Sequence, residues 1–124
     1  MIKFTIEEKK GVVIGKDEYE REVKLFSSPK SKISTEGFAL GMTIIEPGQK
    51  HEEHEHDANK EIMVIYDGEG QLLSNGIVLN VQKGDILGFD FNEPHGFINI
   101  GTTPLKILWI YHPPGVADEK FLVE

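Results

Sequence analysis

Within the stretch "GQKHEEHEHDANKEIMVIYDG", residues 48–68, stand His51, His54, His56 and Glu61, and His95 follows Pro94 in "NEPHGFINI". The chain has no cysteine, so an ion held here takes nitrogen and oxygen donors, and thiolate zinc and iron–sulfur chemistry are excluded. Residues two apart on a strand point to one face, so His54 and His56 can aim both imidazoles at a single point while Glu55 points away. Five residues on, Glu61 opens the apolar run "EIMVIYDG", where a short hairpin return sets its carboxylate beside the rings. Burying a carboxylate there is costly unless a cation neutralises it. A metal ion supplies that charge. His95 is the distant fourth candidate, and a closed barrel is the architecture that brings it to the others. His51, three residues before His54, is expected to face away from the pair as a solvated loop residue, with a rim or substrate contact as the second reading. The string "HEEHE" is not the helical zinc-protease pattern, because Glu55 stands where that pattern needs histidine.

The elements that must position these side chains are strands. Runs rich in Val, Ile, Phe and Leu recur at 12–15, 21–26, 38–46, 61–66, 70–74, 77–81, 85–89, 95–100 and 105–111. Between them lie turn signals, "PG" at 47–48, "DG" at 67–68, "NG" at 75–76, "KGD" at 83–85 and "TTP" at 102–104, where positive φ or a fixed proline φ lets the chain reverse. No run has a helical period. Many short strands at regular spacing indicate an all-β sandwich or barrel. The segment "SSPKSKISTEG", 27–37, reads as a loop between an N-terminal pair of strands and the main series. At 124 residues the expectation is one domain, 1–124, with residues 1–37 forming the N-terminal strands and loop and 38–115 the barrel core. No stretch of about eighteen apolar residues could span a bilayer, and "MIKFTIEEKKG" carries charges where an export signal needs an apolar stretch. A cytoplasmic location without membrane association is the expectation. Thirteen basic against twenty-one acidic residues give a net charge of −8, which repels a phosphate backbone, so nucleic acid is not an expected partner.

The two histidine-bearing stretches resemble the two motifs of the cupin superfamily. The first, G-x5-H-x-H-x4-E-x6-G, is matched at Gly48, His54, His56, Glu61 and Gly68; the second, G-x5-P-x-G-x2-H-x3-N, at Gly84, His95 and Asn99. Asp90 and Asn92 replace the proline and glycine of the second motif, and asparagine tolerates the left-handed backbone that a turn there requires. The ending "LKILWIYHPPG" also resembles the closing strand of small single-domain cupins. The resemblance implies a double-stranded β-helix, a jelly-roll-like barrel. It further implies one divalent transition metal per chain, held by His54, His56, Glu61 and His95, with about two coordination positions free. Fe or Mn is favoured by the family, and Ni, Co, Cu and Zn suit the same donors.

Parity from the ligands places Met63, Ile65 and Phe97 on the pocket side, where core packing and substrate contact are equally open readings. His112 is read as an exposed strand-end residue, Asn99 and Asp85 as turn-bonding residues, and Glu46, Glu52 and Glu53 as a solvated acidic rim. Both faces of "EIMVIY" are apolar, so Ile62, Val64 and Tyr66 need a cover, from the N-terminal strands or a partner. Cupins resembling this chain commonly dimerise by such packing, and a homodimer is expected. Two functions stay open. One is a metal-dependent enzyme on a small organic molecule, of dioxygenase, decarboxylase or isomerase type; the other is a non-catalytic module that binds or senses a small metabolite through its metal.

Overall fold

Apolar residues alternating with polar ones over five to eight positions, closed at each end by glycine, asparagine or proline, produce strands rather than helices. The structure, a computed structural model, describes residues 1–54 and 59–123. Its strands are β1 (Val12–Ile14), β2 (Arg21–Ser28), β3 (Ile33–Ser34), β4 (Ala39–Ile45), β5 (Lys50–His54), β6 (Lys60–Asp67), β7 (Glu69–Ser74), β8 (Ile77–Gln82), β9 (Ile86–Phe89), β10 (His95–Ile98) and β11 (Leu105–His112). A short helix, α1 (Ala117–Phe121), follows. One sheet has the order β1-β2-β4-β11-β6-β9 with β3 attached to β2, and the other the order β5-β10-β7-β8. Every pairing is antiparallel except β2 with β3. This is the all-β, double-stranded barrel that the sequence implies.

Three elements were not legible as such. β5 is polar on both faces, so it lacks the apolar alternation that marks the others. β3 is a two-residue bridge inside the segment read as a loop, and β2 itself extends through Ser28 into that segment. α1 is five residues long, too short to display a helical period. The turns follow the expected chemistry. Asn75 and Gly76 both have positive φ, 52° and 80°, and join Ser74 to Ile77 as a two-residue hairpin. Gly68 has φ 85°, and a Cβ there would lie 2.4 Å from the Pro104 carbonyl oxygen.

The inner faces of the two sheets share one core. Val23, Leu25, Ile45, Met63, Ile65, Leu105, Ile107 and Trp109 come from the larger sheet, and Leu72, Val81 and Phe97 from the smaller. On the outer side of the larger sheet, Phe26, Met42 and Ile44 form a second cluster with Leu40 and Leu108, and Phe4 and Ile6 cover it. Buried Lys24 fixes that cover by donating to the Ile6 carbonyl at 2.8 Å. The N-terminal segment therefore lies over β2, β4 and β11 rather than over β6, the strand expected to need it. Ile62 and Tyr66 remain 46% and 42% exposed.

Candidate functional site

Glu61, Met63 and Ile65 alternate inward along β6, while Ile62 and Tyr66 face outward. A glutamate thus takes the first inward position of an apolar strand and is only 4% exposed. His95, 2% exposed, and Phe97 do the same on β10. Nε2 of His95 lies 3.0 Å from a carboxylate oxygen of Glu61. Nδ1 of His95 faces the Glu93 carbonyl at 3.2 Å. A carbonyl can only accept, so Nδ1 carries a hydrogen. Nε2 and a carboxylate oxygen at 3.0 Å then share either a proton or a cation.

His54 joins this pair from β5, its ring centroid 5.0 Å from that of His95, and its Nδ1 faces the Glu52 carbonyl at 3.1 Å. The expectation that His51 faces away is overturned. Its ring stacks on His54 at 4.5 Å and lines the same cavity. The cause is a bulge: His54 pairs with His95 and His51 with Phe97, three residues on β5 spanning two on β10. Gly96 lies at the irregularity, and a Cβ there would come within 2.6 Å of the Glu53 nitrogen. Only glycine permits that approach. His56 falls outside the described residues.

A cavity of about 20 Å³, the space of a single water or ion, lies among these groups and is walled by Met63, Phe97, Trp109, Tyr111 and Thr43. Met63 and Phe97 stand where expected; Ile65 is 1% exposed in the core and does not line the cavity. Phe89 stacks on His95 at 4.2 Å. Trp109 stacks on Tyr111 at 4.3 Å and donates its Nε1 hydrogen to the Thr43 hydroxyl at 3.0 Å. A second hollow of about 220 Å³ shares Thr43, His51, His54 and Tyr111 with the first and adds Arg21, Glu52 and Lys120. A larger depression of about 560 Å³, bordered by Glu69, Asn80, Gln82 and Asp85, lies away from the histidines.

Burial sets the electrostatics. It pushes the Glu61 carboxyl up, with His95 opposing, and pushes the Tyr111 phenol up, with Glu61 adding to the effect. It lowers His51 to about 3, and lowers His54 as well, so both imidazoles are neutral and their lone pairs available at neutral pH. The loop after β9 behaves as the altered second motif requires. Asn92 takes φ 62°, and Asp90 accepts from the Phe91 N–H at 2.8 Å. Asn99 donates to the Ile45 and Thr103 carbonyls at 2.8 and 2.9 Å, and Asp85 accepts from the Gln82 N–H at 2.8 Å. His112 is exposed, as are Glu46, Glu52 and Glu53.

The cupin domain family matches residues 41–111 of the chain. The chain belongs to the cupin family. An uncharacterised protein of Methanocaldococcus jannaschii is 33% identical to this cupin over 86 residues, 69% of each chain. An oxalate-binding protein of Thermotoga maritima is 36% identical over 62 residues, half of this chain and 51% of its own length. Among solved structures, that of a predicted oxalate decarboxylase from Thermotoga maritima superposes with a TM-score of 0.79 at 23% identity, covering 90% of this cupin and 99% of the other chain. That likeness shows the fold.

Cupins usually bind a metal. Among the described residues no three His, Asp or Glu side chains are arranged as a complete site, and one of the four expected donors, His56, is outside them. The donor chemistry nevertheless fits an ion. Two imidazoles with Nδ1 turned to carbonyls and one buried carboxylate border a cavity of ionic size, and the Glu61–His95 contact itself calls for a positive charge. Sequence reasoning missed Arg21, Thr43, Trp109 and Tyr111. The signal was present for two of them: in "REVKLF" and "LKILWIYH" strand parity puts Arg21 with Val23 and Leu25, and Tyr111 with Trp109 and Ile107. A charged residue in the first inward position was the pattern that identified Glu61.

Proposed function

We propose that this cupin is a metal-dependent enzyme acting on a small organic molecule, with one divalent ion, Fe or Mn, held by His54, His56, Glu61 and His95. The observation that carries the reading is the 3.0 Å contact between a buried carboxylate and Nε2 of His95, a pair that shares a positive charge. When bound, such an ion polarises substrate oxygens as a Lewis acid. The chain's own residues prepare the site. The Glu52 and Glu93 carbonyls fix the ring orientations of His54 and His95 from behind. Phe89 holds the His95 plane, and Met63 and Phe97 keep bulk water from the cavity floor.

Metal analysis of tag-free protein is expected to find close to one transition ion per chain, lost when His54→Ala and His56→Ala are combined. Equal metal content in the double variant removes the site. A second reading, a non-catalytic metal-anchored binding module, is favoured by the name of the oxalate-binding relative, whereas the predicted decarboxylase favours catalysis. Turnover of small carboxylic acids, diketones and phenols by the metal-loaded protein separates the two. The outward row of Ile62 and Tyr66 on β6, continuous with Ile86 on the edge strand β9, supports pairing with a second copy of the chain. Among the described residues no helix is long and apolar enough to cross a membrane.

A further inference from the structure

Arg21 is the first inward residue of β2, on the face that buries Val23 and Leu25. It opens into the 220 Å³ hollow that shares His51, His54, Thr43 and Tyr111 with the histidine cavity. Its Nη1 donates to the Tyr19 carbonyl at 3.0 Å, which holds the guanidinium in place. Its Nε–H is buried and has no acceptor among the described residues. A buried donor without an acceptor is rare in folded chains, so the guanidinium is held at the hollow's edge by position rather than by a full set of bonds. Lys120 stands at the same hollow, so two cations meet there in a chain whose net charge is −8. Glu52 also borders the hollow and acts on Arg21 electrostatically, yet forms no ion pair with it among the described residues.

We propose that Arg21, with Lys120 at the mouth, anchors the carboxylate of a small substrate whose other end reaches the His54–Glu61–His95 cavity. The edge of a guanidinium matches a carboxylate in a fork of two parallel bonds. Glu52 beside it disfavours a doubly charged phosphate, because a like charge at the rim opposes each added negative charge. The hollow, about 220 Å³, has room for a small acid. The reach toward the cavity rests on the metal reading above; the anchoring at Arg21 does not.

The test uses the full chain, metal-free and Mn-loaded, with calorimetry and thermal shift against pyruvate, malonate and succinate, the neutral amide of each, and inorganic phosphate. At least one acid is expected to bind the metal-free protein while its amide does not, with affinity falling as salt rises. Arg21→Gln is expected to raise Kd about ten- to a hundredfold at unchanged metal content, and Lys120→Gln, at an exposed position, to raise it severalfold. The exposed variant and the salt series keep the test valid if Arg21→Gln fails to fold. Amides that bind as well as acids, phosphate that binds as well as carboxylates, or acids that bind only with Mn and equally to Arg21→Gln each overturn the anchor. Arg21-dependent binding in a chain that takes no metal upholds the anchor and removes the metal reading instead.

Discussion

Along β6, β10 and β11 the inward side chains change character within one strand. β6 runs from Glu61 through Met63 to Ile65, β10 from His95 to Phe97, and β11 from Tyr111 back through Trp109 and Ile107 to Leu105. Because Glu61 pairs with Tyr111 and Ile65 with Ile107, the polar residues gather at one part of the interior and the aliphatic ones at another. The aliphatic part supplies folding free energy by removing apolar surface from water. The polar part works against folding, since an ionisable group is costly to bury unless compensated. One barrel therefore separates what holds it together from what it does.

That separation can be broken first at Ile65, 1% exposed in the aliphatic part and clear of the histidine cavity. Ile65→Ala is expected to cost about 2–5 kcal/mol in urea unfolding while metal content per chain stays the same; a loss of metal would show that the two parts are not separable. Asn99→Ala is expected to cost about 1–3 kcal/mol, because it strands the Ile45 and Thr103 carbonyls, again without touching metal binding. Glu61→Gln is the opposite case. In the metal-free protein its unfolding midpoint is expected to equal or exceed that of the unaltered chain, because the substitution removes a buried ionisable group, whereas metal content falls toward zero. A destabilised metal-free Glu61→Gln protein would mean that the carboxylate serves the fold. The smallest stability effect is expected outside the barrel, where Ile62→Lys should change unfolding free energy by under about 0.5 kcal/mol. Light scattering at micromolar concentration is expected to give a dimer for the unaltered chain and a monomer for Ile62→Lys; a monomer for both removes the pairing through β6.

The sequence showed what depends on local pattern and concealed what depends on neighbours. Every strand with apolar alternation could be read directly, and so could the "NG" hairpin and the left-handed Asn92, because residue chemistry alone decides them. β5 could not, since its polar residues form a strand only by pairing with β10. His51 was assigned to the wrong face for the same reason: parity assumes a regular ladder, and the irregularity here is made possible by Gly96, some forty residues away in sequence. The cover from Phe4 and Ile6 went to β2, β4 and β11 because strand order, which no local pattern records, puts those strands at that side of the sheet. Glu61 and Arg21 present the same cue, a charge at the first inward position. Glu61 is legible because His54 and His56 stand just before it in sequence, whereas nothing beside Arg21 draws attention to the same cue.

The extra residue in β5 makes chain length, as much as residue identity, the variable that decides which histidine looks inward. Deleting Glu52 or Glu53 is expected to restore a regular ladder, turn His51 toward solvent and remove one wall from the guest chamber. A larger side chain at position 96 is expected to push β5 away, because its Cβ would meet the Glu53 nitrogen and the His51 carbonyl. A spacer on one strand and a bare backbone on the next thus act as one structural unit.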